Sequence, residues 1–210
     1  MLNGRRTDPL HELAEKIGTK QAVIAPGDVS KRLDADAVIA VALDKFKRID
    51  VLVNNAGVVN PGTADMLSDE DFEAMLAINV GGLRNMSLAA LPFLRQSRGN
   101  IVNVSSVSGM RGDWAMYGYN ASKGAVSLLT QGMALDLGRD GVRVNAVAPA
   151  TTNTPFAAGL KEMPRAMEAL SRRIPMGRLV EPEEVASAIA FLAGRMPPSS
   201  PGSSCRSMAG

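Results

Sequence analysis

The sequence predicts a doubly wound α/β domain built on a mostly parallel sheet. Short runs rich in β-branched residues alternate with longer segments whose apolar residues recur three and four apart. The short runs are also nearly continuous in apolar character, as strands covered on both faces are. A length of 210 residues suits one such domain. Strands are predicted over residues 22–26, 50–54, 100–105 and 142–148, and helices over 8–17, 31–47, 69–96, 117–138 and 183–192, bounded by Asp, Ser, Pro or Gly. No repeat is present, and no linker precedes residue 194. Residues 195–210 hold three Pro, five Ser and two Gly without helical or strand period, and read as a loop.

Composition removes several classes of function. With 46% hydrophobic and 21% charged residues, the chain is neither a disordered tail nor collagen-like. The net charge is +2 and no block of basic residues stands out, so a nucleic-acid partner is not expected. A single cysteine, Cys205, and a single histidine, His11, are too few for a zinc site, and they exclude an intrachain disulfide. No apolar run approaches the ~20 residues that cross a bilayer, and the amino end has no signal-like core. The chain reads as cytosolic, with no membrane partner.

The residues best suited to chemistry are Ser106, Tyr119 and Lys123. Residues four apart share a helix face, so Tyr119 and Lys123 can project into one cleft at the carboxyl end of the sheet, where open α/β folds bind ligands. An ammonium there is expected to favour the phenolate and lower the tyrosine pKa from ~10 toward the operating range. Ser106, closing the apolar run 101–105, can hold a substrate oxygen beside it.

These residues stand in company. Asn54-Asn55-Ala56-Gly57, Ile78-Asn79-Val80, the run 101–106, the stretch Tyr119-Asn120-Ala121-Ser122-Lys123 and the run 142–149 occur in one order. Together they resemble the short-chain dehydrogenase/reductase family over residues 1–193. The resemblance implies a Rossmann-like single domain and hydride transfer between a nicotinamide cofactor and a small-molecule carbonyl or secondary alcohol. It implies Tyr119 as general acid or base, Ser106 as oxygen binder, and Lys123 as tyrosine tuner and ribose contact. Asn79 would sit at a break in the long helix, where the residue alone reads as an ordinary mid-helix Asn.

The resemblance also places the cofactor. Asn54, Ala56 and Gly57 would line its adenosine side, and Asp28 and Val29 would meet adenine, although Asp28 by itself reads as a helix cap. Arg5 and Arg6 occupy a position where an arginine accommodates the 2′-phosphate, so NADP(H) is favoured over NAD(H). Two arginines there also fit plain solvated surface. Pro149, Thr152 and Thr154 belong to a run that contacts the nicotinamide side, with Ala150 where the family has glycine. Residues 157–170 read as a mobile lid or as a surface helix. Trp114 and Met116 could wall an apolar substrate pocket or pack under a loop. The stretch 106–114 with 123–126 is similar to enzymes of acetoin and 2,3-butanediol, and the general features also suit 3-oxoacyl-carrier-protein reductases. Homotetramers through the helices 69–96 and 117–138 are implied.

Both ends depart from the family. No two of the 20 glycines are two residues apart, so the glycine-rich turn that cradles a pyrophosphate is missing. Residues 1–6 look like the end of the second strand, and the first strand–helix unit is expected to be absent. Its loss would leave neighbouring strands with unpaired edges and an open apolar seam. The closing strand is also missing from 194–210, whose codons, read from each third base, are compatible with it. A frameshift near 193–195 is the expectation, and sequencing that segment decides it. Residues 1–193 then form a partial domain and 194–210 an aberrant tail. Two other readings stay open: an inactive fragment of such an enzyme and a nucleotide-sensing regulator without catalysis.

Overall fold

A computed structural model describes residues 1–157, 167–168, 174 and 176–194. The expected lid falls almost wholly, and the tail from 195 onward with its expected frameshift entirely, outside the described residues. In chain order the elements are β1 (Leu2–Gly4), α1 (Thr7–Ile17), β2 (Ile24–Pro26), α2 (Arg32–Phe46), β3 (Val51–Asn54), α3 (Asp69–Met75), α4 (Leu83–Ser97), β4 (Asn100–Val104), α5 (Tyr117–Leu137), β5 (Arg143–Val147) and α6 (Pro182–Ala193). All strand pairings are parallel. In β4 the neighbours Ile101 and Val102 point to opposite faces, yet both are wholly buried, so helices cover the sheet on both sides.

The strands form two sheets rather than one: β1 pairs with β2, while β3, β4 and β5 lie side by side. The donor pattern shows what separates them. Asn100 N donates to the Asp50 carbonyl at 2.9 Å, so by the period of two Val51 and Val53 turn their peptide groups away from β4. Leu2 N donates to Val23 O, and Gly27 N to Gly4 O, which leaves the peptide groups of Asn3 turned away from β2, although its side-chain amide donates to the Ala25 carbonyl at 2.9 Å. A cavity of about 640 Å³ lies between these edges, lined in part by Met1, Asn3, Ile39, Leu52, Val53 and Met86. Val51 and Val53 are 39% and 41% exposed, and this is the apolar seam expected from the sequence. Below it the two sheets share one core, in which Val38, Ile39 and Ala42 of α2 meet Met86, Ala89 and Ala90 of α4 and Leu52 of β3.

The helix predicted over 69–96 is interrupted. Ser68 caps α3 by accepting from Asp71 N at 3.1 Å, and a π turn, Leu76–Gly82, separates α3 from α4. By length and composition the whole stretch Asp69–Ser97 could cross a bilayer, contrary to the reading of apolar runs above. Here it is a core helix, with Asn79, Asn85 and Ser87 buried and hydrogen-bonded inside the protein. Helix α6 opens on Pro182 with a reciprocal Glu181–Glu184 capping box, braced by an Arg178 fork at 2.7 and 2.8 Å from Glu184.

Candidate functional site

Strand β4 delivers Ser106 just past its carboxyl end, and α5 delivers Tyr119 and Lys123 from its first two turns. Ser106 is 8% exposed and its hydroxyl is hydrogen-bonded to the Tyr119 phenol. Lys123, 5% exposed, donates through Nζ to the Val104 carbonyl at 2.7 Å and holds Nζ 5.7 Å from the Tyr119 ring centre. The turn Val107–Gly109 follows Ser106 directly. It is pinned by Val107 N on the Pro149 carbonyl at 3.1 Å and by Ser108 N on Ser106 Oγ at 3.2 Å.

The electrostatics correct one expectation. Burial of the Tyr119 phenol raises its pKa above the ordinary 10.0, and the Ser106 hydrogen bond offsets this only in part, so the net shift is upward despite the neighbouring lysine. Burial lowers Lys123 itself from 10.5 to about 8. Between these values the unfolded chain binds more protons at Lys123 than the folded one, so stability should rise with pH from about 8, where the folded amine begins to shed its proton. Tyr119 acts oppositely above about 10, because its phenol stays protonated longer in the folded chain than in the unfolded one. A melting midpoint that climbs from about pH 8 to 10, with the climb abolished in Lys123→Met, is the expected result of thermal unfolding by circular dichroism.

Asn79 lies in the π turn and is 3% exposed. Its Oδ1 accepts from Val58 N at 2.8 Å, and its Nδ2 donates to Val58 O and to Ser122 Oγ, both at 2.9 Å. Gly57 fits against it: a Cβ there would stand 3.2 Å from Asn79 Oδ1 and 3.6 Å from Lys123 Nζ. Asn79, Gly57, Ser106, Tyr119 and Lys123 therefore form one cluster.

Other candidate residues lie further out. The Asn54 side chain turns its amide NH₂ inward, donating to Ser87 Oγ at 3.1 Å and Asn103 Oδ1 at 2.9 Å, and Asn54 lines the cavity wall with Ala56. Asp28 closes an Asx-type turn on Ser30 N and Oγ, at 3.0 and 2.8 Å, rather than capping α2. That Ser30 bond is the main reason its carboxyl sits below the usual range, with a smaller contribution from Arg5 nearby. Arg5 and Arg6 are exposed at the end of β1. Val29 packs on Gly82, where any Cβ would collide with it. Thr152 pairs with Val180, and Thr154 Oγ1 reaches the Thr152 carbonyl at 3.5 Å. Met116 caps the start of α5, half-buried, whereas Trp114 is 88% exposed and does not pack beneath the loop.

Sequence reasoning missed the polar residues that support the cluster. Asn85 donates to both the Val29 and Ser30 carbonyls at 3.0 Å, holding the loop of Asp28 and Val29. Asn103 links β3 to α5 through Thr130 Oγ1 at 2.9 Å. Asp113 receives the Ser108 hydroxyl at 2.6 Å and is clamped at its backbone by Asn120. The available signal was a polar residue recurring inside an otherwise apolar strand or helix face, which demands a buried partner.

A parallel α/β fold that sets a serine, a tyrosine and a lysine together at the carboxyl ends of its strands defines an oxidoreductase of the Rossmann type. The comparisons narrow the class. A family model described as enoyl-(acyl carrier protein) reductase matches residues 1–203. Meso-2,3-butanediol dehydrogenase of Serratia marcescens is 39% identical over 186 residues, covering 89% of this chain and 73% of its own. The crystal structure of a gluconate 5-dehydrogenase from Burkholderia cenocepacia, in complex with NADP and tartrate, superposes with a TM-score of 0.86 at 29% identity, covering 92% of this chain and 77% of that one. That of a 3-ketoacyl-(acyl-carrier-protein) reductase from Brucella melitensis, complexed with NADH, gives 0.83 at 33%, covering 91% and 78%. The chain belongs to the short-chain dehydrogenase/reductase family.

Proposed function

We propose that this chain interconverts a carbonyl and a secondary alcohol using NAD(P)(H), with Ser106, Tyr119, Lys123 and Asn79 as its working residues. The hydrogen bond between Ser106 and the Tyr119 phenol, with the Lys123 ammonium beside the ring, is the observation that carries the reading. The residues fit the cofactor at its two ends. Tyr119 and Lys123 would hold the ribose next to nicotinamide, beside the cradle that a Cβ at Gly57 would fill, with Pro149, Thr152 and Thr154 on the far side of the ring. Asp28, Val29, Asn54 and Ala56 would face the adenine end. The sequence holds no glycine-rich turn for the pyrophosphate between them. Arg5 and Arg6, with no acidic residue at the end of β1, support NADP(H) over NAD(H).

When bound, the cofactor supplies the hydride. In reduction, Ser106 and Tyr119 hold the carbonyl oxygen, and Tyr119 passes its phenolic proton to that oxygen as it becomes an alkoxide, a far stronger base than phenolate. The raised pKa keeps the proton on Tyr119 until that moment. Lys123 then faces the new phenolate, which its charge stabilises. The oxidation runs through the same groups.

Similarity to the butanediol dehydrogenase and the ketoacyl reductase supports a small hydroxyketone or diol, or a 3-oxoacyl thioester, as substrate. Trp114 and Met116 would form an apolar wall for it beside Tyr119. Leu88 of α4 and Leu128 and Leu135 of α5 are exposed at 38%, 68% and 81%, which supports assembly through these helices into a homotetramer.

The test is a fluorescence titration of the purified chain with NADPH and NADH, followed by assays on acetoin and an acetoacetyl thioester. Micromolar NADPH binding, tighter than NADH and weakened by Arg5→Ala, with turnover of either substrate, is expected. Binding without turnover makes the chain a nucleotide sensor, and the absence of both makes it an inactive fragment.

A further inference from the structure

Four polar groups run in series from the loop after β3 to the start of α5. The Val58 N–H can only donate, so it fixes which end of the Asn79 amide faces it: Oδ1 accepts, and both Nδ2 protons are directed outward. One goes to the Val58 carbonyl and the other to Ser122 Oγ. Ser122, having accepted that proton, donates its own to the Tyr119 carbonyl at 2.9 Å. Ser122 is wholly buried and Asn79 nearly so, so water does not replace either bond. The π turn and the first turn of α5 therefore meet through one hydroxyl.

We propose that Ser122 is a positioning residue for Tyr119: its hydroxyl locks the first turn of α5 to the π turn and so sets how deeply the phenol lies beside Ser106. The inference rests on the proton-transfer role given to Tyr119 above. Without the hydroxyl, one Asn79 N–H loses its acceptor, and the helix start is free to lean away from the π turn and admit water to the phenol. Because burial is what raises the Tyr119 pKa, such a change brings its titration back toward that of free tyrosine.

The same kind of bond elsewhere on the helix supplies the control. Thr130 Oγ1 donates to the Val126 carbonyl at 2.7 Å and accepts from Asn103 Nδ2 at 2.9 Å, a matching pair of partners but two turns further on. A variant there loses an equivalent buried hydroxyl without touching the first turn.

The chain has two tyrosines, and Tyr117 is stacked on Phe72, so Tyr117→Phe leaves Tyr119 as the one phenol to titrate. In that background, ultraviolet difference titration should show the Tyr119 acid dissociation constant increased roughly tenfold by Ser122→Ala and unchanged by Thr130→Val. Far-ultraviolet circular dichroism checks that each variant is folded. If Ser122→Ala is not, Ser122→Cys, a weaker donor and acceptor of similar size, should give a smaller change in the same direction. An unchanged constant in the folded Ser122 variant, or an equal change in Thr130→Val, overturns the proposal. The titration needs neither cofactor nor substrate, so a chain that turns nothing over would sink the proposed function while leaving this measurement intact. In an active preparation, Ser122→Ala should lower kcat while the KM for the carbonyl holds.

Discussion

Gly109→Ala should cost the protein its active-site geometry and much of its stability. The backbone of Gly109 is not in the left-handed region, so the constraint is room rather than conformation. A Cβ there would enter the Lys123 carbonyl group, 2.5 Å from its carbon, and stand 2.9 Å from Gly124 N. Those atoms belong to the backbone of α5 and cannot swing aside as a side chain could. Relief requires the Val107–Gly109 turn to lift, and Ser106, immediately before it, must follow and leave Tyr119. Overpacking of this kind costs about 3 kcal/mol, which in a chain of this size lowers the melting midpoint by roughly 6–12 °C. Gly124→Ala is the matched control. Its Cβ would meet only the Gly109 carbonyl at 3.7 Å, and alanine favours the helix, so the midpoint should hold or rise. Equal melting of the two variants would refute the account of a close-packed turn.

The second large effect is expected at Tyr119. Tyr119→Phe keeps the ring against its neighbours and removes the one proton placed to reach a substrate oxygen beside Ser106. General acid–base catalysis contributes ~10²–10⁴-fold, so kcat should fall by about that much, while the melting midpoint changes little and NADPH affinity falls by no more than the roughly tenfold that one lost ribose hydrogen bond is worth. Steady-state kinetics with a parallel nucleotide titration separates the two quantities. A rate that survives the substitution would place the proton transfer elsewhere.

Much of the fold was legible because its periods are local. The runs at 100–105 and 142–148 overlap β4 and β5, and the helix predicted over 117–138 is α5 to within a residue. The interruption of the helix over 69–96 came from resemblance, since nothing in the spacing of its apolar residues distinguishes a π turn from an α turn. The division into two sheets answers to an expected seam. Its extent depends on how far β1 and β3 stand apart, and local pattern does not encode that distance. Trp114 shows the opposite failure: a large aromatic residue suggests packing, yet the loop carrying it is held by Ser108, Asp113 and Asn120 so that the indole faces solvent.

From the order and spacing of its residues alone, the chain is committed to parallel strands, to helices covering both sides, and to Tyr119 and Lys123 on one helix face, because each follows from repeats within a few positions. The tertiary structure decided which charges matter. Burial, a property of the whole assembly, outweighs the lysine at Tyr119, and the partners of Asn54, Asn79 and Ser122 are chosen by elements that lie far apart along the chain. Desolvation and hydrogen bonding at a buried site depend on every surface packed against it, and so they are settled only when all of those surfaces have met.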